Sequence, residues 1–305
     1  MRQAALVTAC GLLVAIGVGA QRAFRSGIDL VHFAVTVADR KGNLITDLTA
    51  DDFDVLEGGR RQQIRHFAVG QDGEGAPPLH LGLLIDMSGS MNEDMSFART
   101  AAIKFLNAVD EAVDITLVDF DTEVRVARYG PAEFPRLVER IRMREADGWT
   151  ALYDAVGVYL HGASDQDGQK VLVLYTDGGD TRSSMSFADC MSLLRMSDVT
   201  LYAIGFLQHQ PSSVRTTQQL YLRQMAAATG GEAYFPLSKE ALDEFYAKVL
   251  GDLAARYTLG YVSTDTRTDG AWREVQIRVT RGDLKGVRVR TRPGYFGPYP
   301  EASRR

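Results

Sequence analysis

The feature that most constrains the fold is a long alternation of apolar runs with helical patterns in the middle of the chain. The runs LHLGLLID at residues 79–86 and KVLVLYTD at residues 170–177 are almost continuously apolar. Between such runs, apolar residues such as Phe97 and Ala101 recur at helical spacing. A continuously apolar strand is typical of a parallel sheet covered on both faces. Residues 78–250 are therefore predicted to form an α/β domain, with a doubly wound, mostly parallel sheet between helices.

On both sides of this region, apolar and polar residues alternate one by one, as is typical of strands with one buried face. Near the start, apolar residues such as Phe33 and Val35 alternate with other types, and YTLGYVS, WREVQIRV and VRVRTRPGY alternate similarly near the end. Two or three strands rarely hold together alone in water. Residues 21–77 and 251–305 are therefore predicted to pair into one small β-sandwich, with residues 78–250 inserted between them. The alternative is two separate hairpins packed on the α/β domain.

The N-terminus has the layout of a signal peptide. Arg2 precedes an uncharged apolar run at residues 4–18, and the small residues Val-Gly-Ala end at position 20. The run is short for a bilayer span, which needs about 20 residues, so an uncleaved anchor is the less favoured alternative. Residues 1–20 are predicted to be a signal peptide, and the protein to be exported to the periplasm or the extracellular space. No integral membrane span is expected after its removal. The Gly- and Pro-rich residues 70–78 predict a linker.

Composition and missing motifs exclude several classes of function. With 305 residues, 45% of them hydrophobic, the chain is expected to fold into about two domains. A formal net charge of −5 disfavours a nucleic-acid partner. The sequence has no HExxH zinc motif, no GxSxG elbow and no GxxxxGK[ST] phosphate loop. Without residues 1–20, Cys190 is the one remaining cysteine, and its apolar surroundings predict a small buried residue.

Five oxygen-bearing side chains follow the predicted strands at the edge where such sheets bind ligands. They are Asp86, Ser88 and Ser90 in LLIDMSGSM, Thr150 in GWTALYDA, and Asp177 in LVLYTDGGD. Each alone has a simpler explanation as a helix cap or a turn residue. Together they form a set of hard oxygen donors that suits Mg²⁺, with Mn²⁺ or Ca²⁺ as alternatives.

This pattern resembles the von Willebrand factor type A domain over residues 78–250. Asp-x-Ser-x-Ser, a later Thr and an Asp-Gly after a buried strand match the residues that form the metal-ion-dependent adhesion site of that family. The resemblance implies a Rossmann-like sheet with one antiparallel edge strand, which the segment at residues 124–129 suits. It also implies that a divalent cation bound there accepts a carboxylate from a protein partner. The flanks resemble a group of exported bacterial proteins of this class.

The function predicted is therefore an exported, non-catalytic, metal-dependent adhesion or scaffolding module. One alternative is a Mg²⁺-dependent phosphate-ester hydrolase, with Lys170 or Arg182 as candidate phosphate ligands, although both are simply explained as solvated loop charges. The other is a structural envelope protein that assembles with itself and has a vestigial site.

Other residues near the predicted site have ordinary explanations as well. Asp119 and Asp121 follow a strand and could tune or extend the site, although a solvated turn is the simpler expectation for them and for Asp180. Arg-Gly-Asp at residues 281–283 is expected in a hairpin turn. The candidates for an apolar rim around the metal site are Met87, Met91, Trp149 and Met185, and ordinary loop packing is at least as good an explanation for each.

Overall fold

The structure is a computed structural model that describes residues 30–70, 77–109 and 112–299. The predicted signal peptide, residues 1–20, and most of the predicted linker lie outside the described residues.

A six-stranded sheet forms the centre of the molecule. In chain order its strands are β5 (Leu79–Asp86), β6 (Ala112–Phe120), β7 (Val124–Tyr129), β8 (Gln169–Thr176), β9 (Val199–Gly205) and β10 (Ala233–Tyr234). Their order across the sheet is β10-β9-β8-β5-β6-β7. Neighbouring strands are parallel except β6 and β7, which pair antiparallel at one edge. The predicted α/β class and its antiparallel edge strand are confirmed.

Six helices cover the two faces of this sheet. They are α1 (Met95–Ala108), α2 (Phe134–Met143), α3 (Leu152–Ala163), α4 (Phe187–Met196), α5 (Ser212–Ala228) and α6 (Lys239–Ala254). Helices α1, α2 and α6 share one apolar core with the sheet, and α3, α4 and α5 share the other. All eight residues of β5 are buried, because the strand lies in the middle of the sheet with a core on each side. Burying one Leu or Ile side chain there contributes about 2 kcal/mol.

The flanking segments form two four-stranded antiparallel sheets. Their strands are β1 (Leu30–Ala38), β2 (Phe53–Glu57), β3 (Arg60–Gln62), β4 (Ile64–Val69), β11 (Tyr257–Val262), β12 (Trp272–Val279), β13 (Arg288–Arg290) and β14 (Gly294–Phe296). One sheet has the order β13-β1-β11-β4 and the other β14-β12-β2-β3. Apolar residues of both sheets, among them Phe33, Val55, Tyr257 and Ile277, form one shared core. The two sheets therefore make a β-sandwich, and each contains strands from both flanks.

The α/β domain leaves and returns to the sandwich at one place. β4 precedes the domain, β11 follows it, and the two strands pair antiparallel. At the join, the backbone N–H of Gly70 donates to the carbonyl of Arg256 at 2.8 Å. In the part of the chain that the structure describes, no helix is long and apolar enough to span a bilayer.

Candidate metal centre

Asp86 ends the central strand β5 and is fully buried. Its Oδ1 accepts a hydrogen bond from the backbone N–H of Ser88 at 3.0 Å, and its Oδ2 accepts one from the hydroxyl of Thr176 at 2.6 Å. Burial disfavours the charged carboxylate, and the nearby carboxylate of Asp177 disfavours it further. Together they raise the pKa of Asp86 to about 7. The end of β5 thus holds an acid whose negative charge lacks a cationic partner among the described residues.

Ser88 and Ser90 lie in the turn that follows β5. The Ser88 and Ser90 hydroxyl oxygens are 3.1 Å apart. Ser88 is buried, whereas Ser90 is exposed in a short 3₁₀ turn, so the group opens to solvent on this side. Met87 and Met91 were expected as candidates for an apolar rim, and this expectation is wrong. Both side chains are fully buried in the core beneath α1, where Met87 continues the alternation of Leu83 and Ile85 in β5.

Thr150 lies in the loop before α3, and backbone contacts join this loop to its two neighbours. The N–H of Gly89 donates to the carbonyl of Gly148 at 3.1 Å, which ties the loop to the serine turn. The N–H of Thr150 donates to the hydroxyl of Thr181 at 2.9 Å, and the carbonyl of Thr150 accepts from the N–H of Thr181 at 2.9 Å. Thr181 belongs to the loop after β8, the loop that carries Asp177. The three loops that carry the predicted residues therefore lie together.

The Thr150 loop is also anchored from the β6 side. The hydroxyl of Thr122 accepts a hydrogen bond from the N–H of Trp149 at 2.9 Å. Gly148 has a φ of +80°, and a Cβ there would lie 2.6 Å from the Thr122 hydroxyl oxygen, so both conformation and space require glycine. Trp149 is 64% exposed and lies next to Thr150, as expected for a rim residue. Met185 instead is half-buried and packs against the core under α3 and α4.

Asp177 is buried at the end of β8, beside β5 in the sheet. Its Oδ1 accepts from the N–H of Gly179 at 3.1 Å, and its Oδ2 accepts from the side-chain amide of Gln210 at 3.0 Å. Gln210 comes from the loop after β9. Both bonds fix the orientation of the Asp177 side chain, which has no ion pair among the described residues.

The donor set fits a hard divalent cation chemically. It offers two carboxylates and three hydroxyls, all oxygen ligands, as Mg²⁺ prefers. The two carboxylates lie close enough to repel each other in a buried place, and a cation would remove that repulsion. No group of three or more His, Cys, Asp and Glu side chains suited to a metal occurs within residues 30–70, 77–109 and 112–299. The set described here has only two such residues and depends on its hydroxyls.

Asp119 and Asp121 were expected mainly in a solvated turn, and this expectation is wrong. Both are buried beside the Thr150 loop. Asp119 accepts from Arg140 Nε at 2.9 Å, and Asp121 accepts from Arg144 Nη2 at 3.0 Å. The carbonyl of Asp121 also accepts from the N–H of Ala151. These acids are neutralised by arginines and support the loop, whereas Asp86 and Asp177 are not neutralised in this way.

Three residues that hold the site together were missed from the sequence. Thr176 bridges Asp86 and the N–H of Gly178, Gln210 orients Asp177, and Thr181 pairs with the backbone of Thr150. Thr176 could have been suspected, because it is a hydroxyl at the end of an otherwise apolar strand. Gln210 and Thr181 carry no such signal, since only the folded loops bring them to their partners.

The family model of the von Willebrand factor type A domain matches residues 80–248, more than half of the chain. The chain belongs to the von Willebrand factor type A family. All five predicted donor residues lie inside the matched range. No curated protein matches the sequence.

Several solved structures are similar to this chain. A von Willebrand factor type A protein from Catenulispora acidiphila shares 13% identity at a TM-score of 0.49, over 84% of this chain and 76% of that one. The PilB minor pilin from Streptococcus sanguinis shares 15% identity at a TM-score of 0.47, over 60% of this chain. The pilus adhesin SpaC from Lactobacillus rhamnosus GG shares 9% identity at a TM-score of 0.48, over 81% of this chain. This chain spans 63% of the minor pilin and 48% of the adhesin.

Residues considered for other roles lie elsewhere in the von Willebrand factor type A domain or in the sandwich. Lys170 was explained as a solvated loop charge or as a phosphate ligand, and both expectations are wrong. It is buried near the start of β8, at the opposite end of that strand from Asp177, and its Nζ lies 2.6 Å from Asp198. Arg182 is exposed in the loop after β8. Cys190 is buried in α4, as predicted, and burial raises the pKa of its thiol to about 12.

Two further motifs have structural roles. The side chain of Asp180 accepts from the N–H of Tyr153 at 3.1 Å and also from the hydroxyl of Ser183, so it satisfies the start of α3. In the Arg-Gly-Asp sequence, Arg281 pairs with Asp47 at 3.0 Å. This motif stabilises a turn of the sandwich, as its position between strands predicts.

Proposed function

We propose that the protein is an exported module that binds a protein partner through a divalent cation. Its cation site consists of Asp86, Ser88, Ser90, Thr150 and Asp177, and Mg²⁺ is the cation that these oxygens fit best. Residues 1–20 would direct export and then be removed. Family membership supports the fold of the site, and the donor chemistry supports the cation.

The observation that carries the proposal is the pair of buried carboxylates without a cationic partner. Asp119 and Asp121, at the end of the neighbouring strand β6, show how this domain neutralises acids that serve only its structure: each is paired with an arginine. Asp86 and Asp177 are as deeply buried but have hydroxyls, amides and each other instead. A buried acid without neutralisation is costly, so its presence favours a ligand that supplies positive charge.

The five side chains of the proposed site contribute either a negative charge or a neutral oxygen. Asp86 and Asp177 supply the negative charge, and Ser88, Ser90 and Thr150 supply neutral oxygens. When bound, the cation supplies a Lewis-acidic position at which an anionic oxygen of a partner can bind. The two carboxylates formally balance the charge of the cation, but the other three donors are neutral hydroxyls, which leave the cation electrophilic, so that a partner carboxylate can complete its coordination.

The surface around Ser90 decides how a partner approaches. Ser90 and Trp149 are both exposed, and they belong to two loops that are joined by the Gly89–Gly148 hydrogen bond. Trp149 offers an apolar face beside the opening, which suits an acidic residue that is flanked by apolar or aromatic residues in the partner.

The first test measures the cation directly. Titration calorimetry with Mg²⁺ and Mn²⁺ is carried out on the wild-type protein, Ser88→Ala, and the control Ser96→Ala. Ser96 is an exposed serine at the start of α1 and not part of the donor set. We expect saturable binding to wild type and Ser96→Ala and at least about tenfold weaker binding to Ser88→Ala. Equal binding to all three proteins would contradict the assignment.

The second test concerns the partner. Proteins of an envelope extract are captured with wild type and with Asp86→Ala, in Mg²⁺ and in excess chelator, and the captured protein is purified and its binding measured. We expect binding to require both Mg²⁺ and Asp86. We also expect binding to be lost when the acidic residues in the contact segment of the partner are replaced by Asn or Gln. Capture that continues unchanged in chelator would refute metal-dependent binding. Turnover of an aryl phosphate that needs Asp86 would favour the hydrolase alternative.

A further inference from the structure

A cavity of about 350 Å³ lies between the sandwich and the base of the α/β domain, at the end of the central sheet opposite Asp86 and Asp177. Its wall includes His32 of β1 and Thr258 of β11 from the sandwich, and Lys170 and Thr200 from the starts of β8 and β9. This volume lies within the range of small-molecule sites and far exceeds the roughly 30 Å³ of one water molecule.

Arg256 makes this cavity unusual, because its buried charge has no acidic partner. It is 2% exposed and lines the cavity. Its Nη2 donates to the hydroxyl of Tyr202 at 3.1 Å, and the Tyr202 hydroxyl in turn donates to Asp252 at 3.2 Å. Among the described residues, no carboxylate oxygen lies within 4.0 Å of its guanidinium nitrogens, and its Nε and Nη1 have no hydrogen-bond acceptor. An uncompensated buried charge is strongly unfavourable.

Besides Arg256, the buried polar residues of the wall are Thr200, Thr258, Lys170, Gln166 and Gln169. Thr200 and Thr258 are buried, and their hydroxyls make no hydrogen bond within the described ranges. Lys170 is neutralised by Asp198 at 2.6 Å. The remaining acid, Asp167, is exposed, and its carbonyl accepts from His80 at 2.9 Å. The interior of the cavity therefore offers unused donors and one unmatched positive charge.

We propose that this cavity is a binding site for a small oxyanion, whose charged oxygens accept hydrogen bonds from Arg256, Thr200 and Thr258. Hydrogen bonds from arginine to a charged oxygen are among the strongest in proteins. The site is separate from the proposed cation site, and the ligand would contact both the sandwich and the α/β domain. Carboxylates and phosphates share this chemistry, and the experiment distinguishes them.

The experiment titrates acetate, succinate and inorganic phosphate separately into the protein, in excess chelator so that the cation site does not contribute. Binding is measured by calorimetry and by the shift of the melting temperature, with chloride at equal ionic strength as the reference. At about ten times its Kd, a bound anion raises Tm by about 3 °C. We expect at least one probe to bind wild type in a saturable way, and the identity of that probe shows whether the site prefers carboxylate or phosphate.

Variants then test which residues hold the anion. Arg256→Gln should abolish binding, and Thr258→Val, which keeps the shape of the side chain, should weaken it about tenfold. The control Arg267→Gln removes the same charge from an exposed arginine that pairs with Asp265 in the sandwich, and it should bind as wild type does. If Arg256→Gln does not fold, the comparison of Thr258→Val with the control shows whether the residues of the cavity hold the anion. No saturable binding of any probe to wild type, or equal binding by Thr258→Val and the control, overturns the proposal.

Discussion

Replacing Asp86 by Asn should stabilise the cation-free protein at neutral and alkaline pH. Asp86 has a pKa raised from its ordinary value of 3.8 to about 7 by burial and by Asp177. At about 1.4 kcal/mol for each pH unit, this difference corresponds to about 4 kcal/mol. The stability of the wild-type protein falls as pH rises, because the folded protein binds the proton of the Asp86 carboxyl group more tightly than the unfolded chain does. Stability from Asp86 is therefore full below about pH 4 and is lost as pH rises to about 7.

The asparagine variant keeps the size of the side chain and carries no charge at any of these pH values. Its free energy of unfolding relative to wild type should therefore rise by about 4 kcal/mol between about pH 4 and about pH 8. A poorer hydrogen bond of the amide with Ser88 or Thr176 would lower the stability of the variant by the same amount at every pH and would leave this rise unchanged. The assay is chemical denaturation of both proteins in excess chelator across this range. The comparison cancels the titration of all other groups that the two proteins share.

The wild-type protein and Asp86→Asn also test whether a cation relieves the destabilisation caused by the charged Asp86. Added Mg²⁺ should stabilise wild type at about pH 8 and leave Asp86→Asn nearly unchanged, because a ligand that binds only the folded state stabilises it. A stability difference that does not vary with pH would refute the reasoning about the buried acid. A pH dependence without any effect of Mg²⁺ would refute the cation proposal and leave the electrostatic argument intact.

Three further predictions concern other parts of the structure. Thr181→Val should weaken Mg²⁺ binding about tenfold by freeing the backbone of the Thr150 loop, whereas Thr181→Ser should bind as wild type does, both measured by calorimetry. Gly231→Ala should lower the free energy of unfolding, measured by chemical denaturation, by at least about 2 kcal/mol, because the new Cβ would collide with the carbonyl of Leu201. Gly162→Ala, within α3 and with open space around it, should raise the free energy of unfolding by about 0.5–1 kcal/mol in the same assay. Cys190 should react with a thiol reagent only on unfolding, because burial raises its pKa to about 12, and rapid labelling of the native protein would contradict this.

The fold class could be predicted because the central strands are apolar on both faces. The run at residues 79–86 has no polar alternation to mark an exposed side, which indicates a strand with helices above and below it. The convergence of the loops was also predictable, since parallel strands end at one edge. Met87 continues the alternation of β5 into the core, so its burial could have been predicted as well. What a strand pattern cannot show is the direction of side chains beyond that point: Met91 ends the short 3₁₀ turn Gly89–Met91 and is buried in the same core.

Charged residues were harder to place than apolar ones. Lys170 precedes an apolar run and was assigned to a loop, yet it lies within β8 and is buried with Asp198. Asp119 is neutralised by Arg140 of α2, 21 positions later in the chain, and Asp121 by Arg144, 23 positions later, as well as by Arg125, which is four positions later. The partners of such groups are set by how α2 packs on β6. Local sequence therefore identifies a buried charge only when its partner is close along the chain.

The hydrogen bond between Gly70 and Arg256 places the two attachment points of the α/β domain side by side. Tension applied to the protein through its flanks would load the sandwich across both of its sheets, because the first described strand, β1, and the last, β14, belong to different sheets. The inserted domain is joined to the sandwich at this strand pair and also by the ion pairs of Arg290 in β13 with Glu232 and Asp252. A partner bound at the far end of the domain would then pull on these contacts together, and the loops of the proposed cation site lie away from them, at the other end of the central sheet.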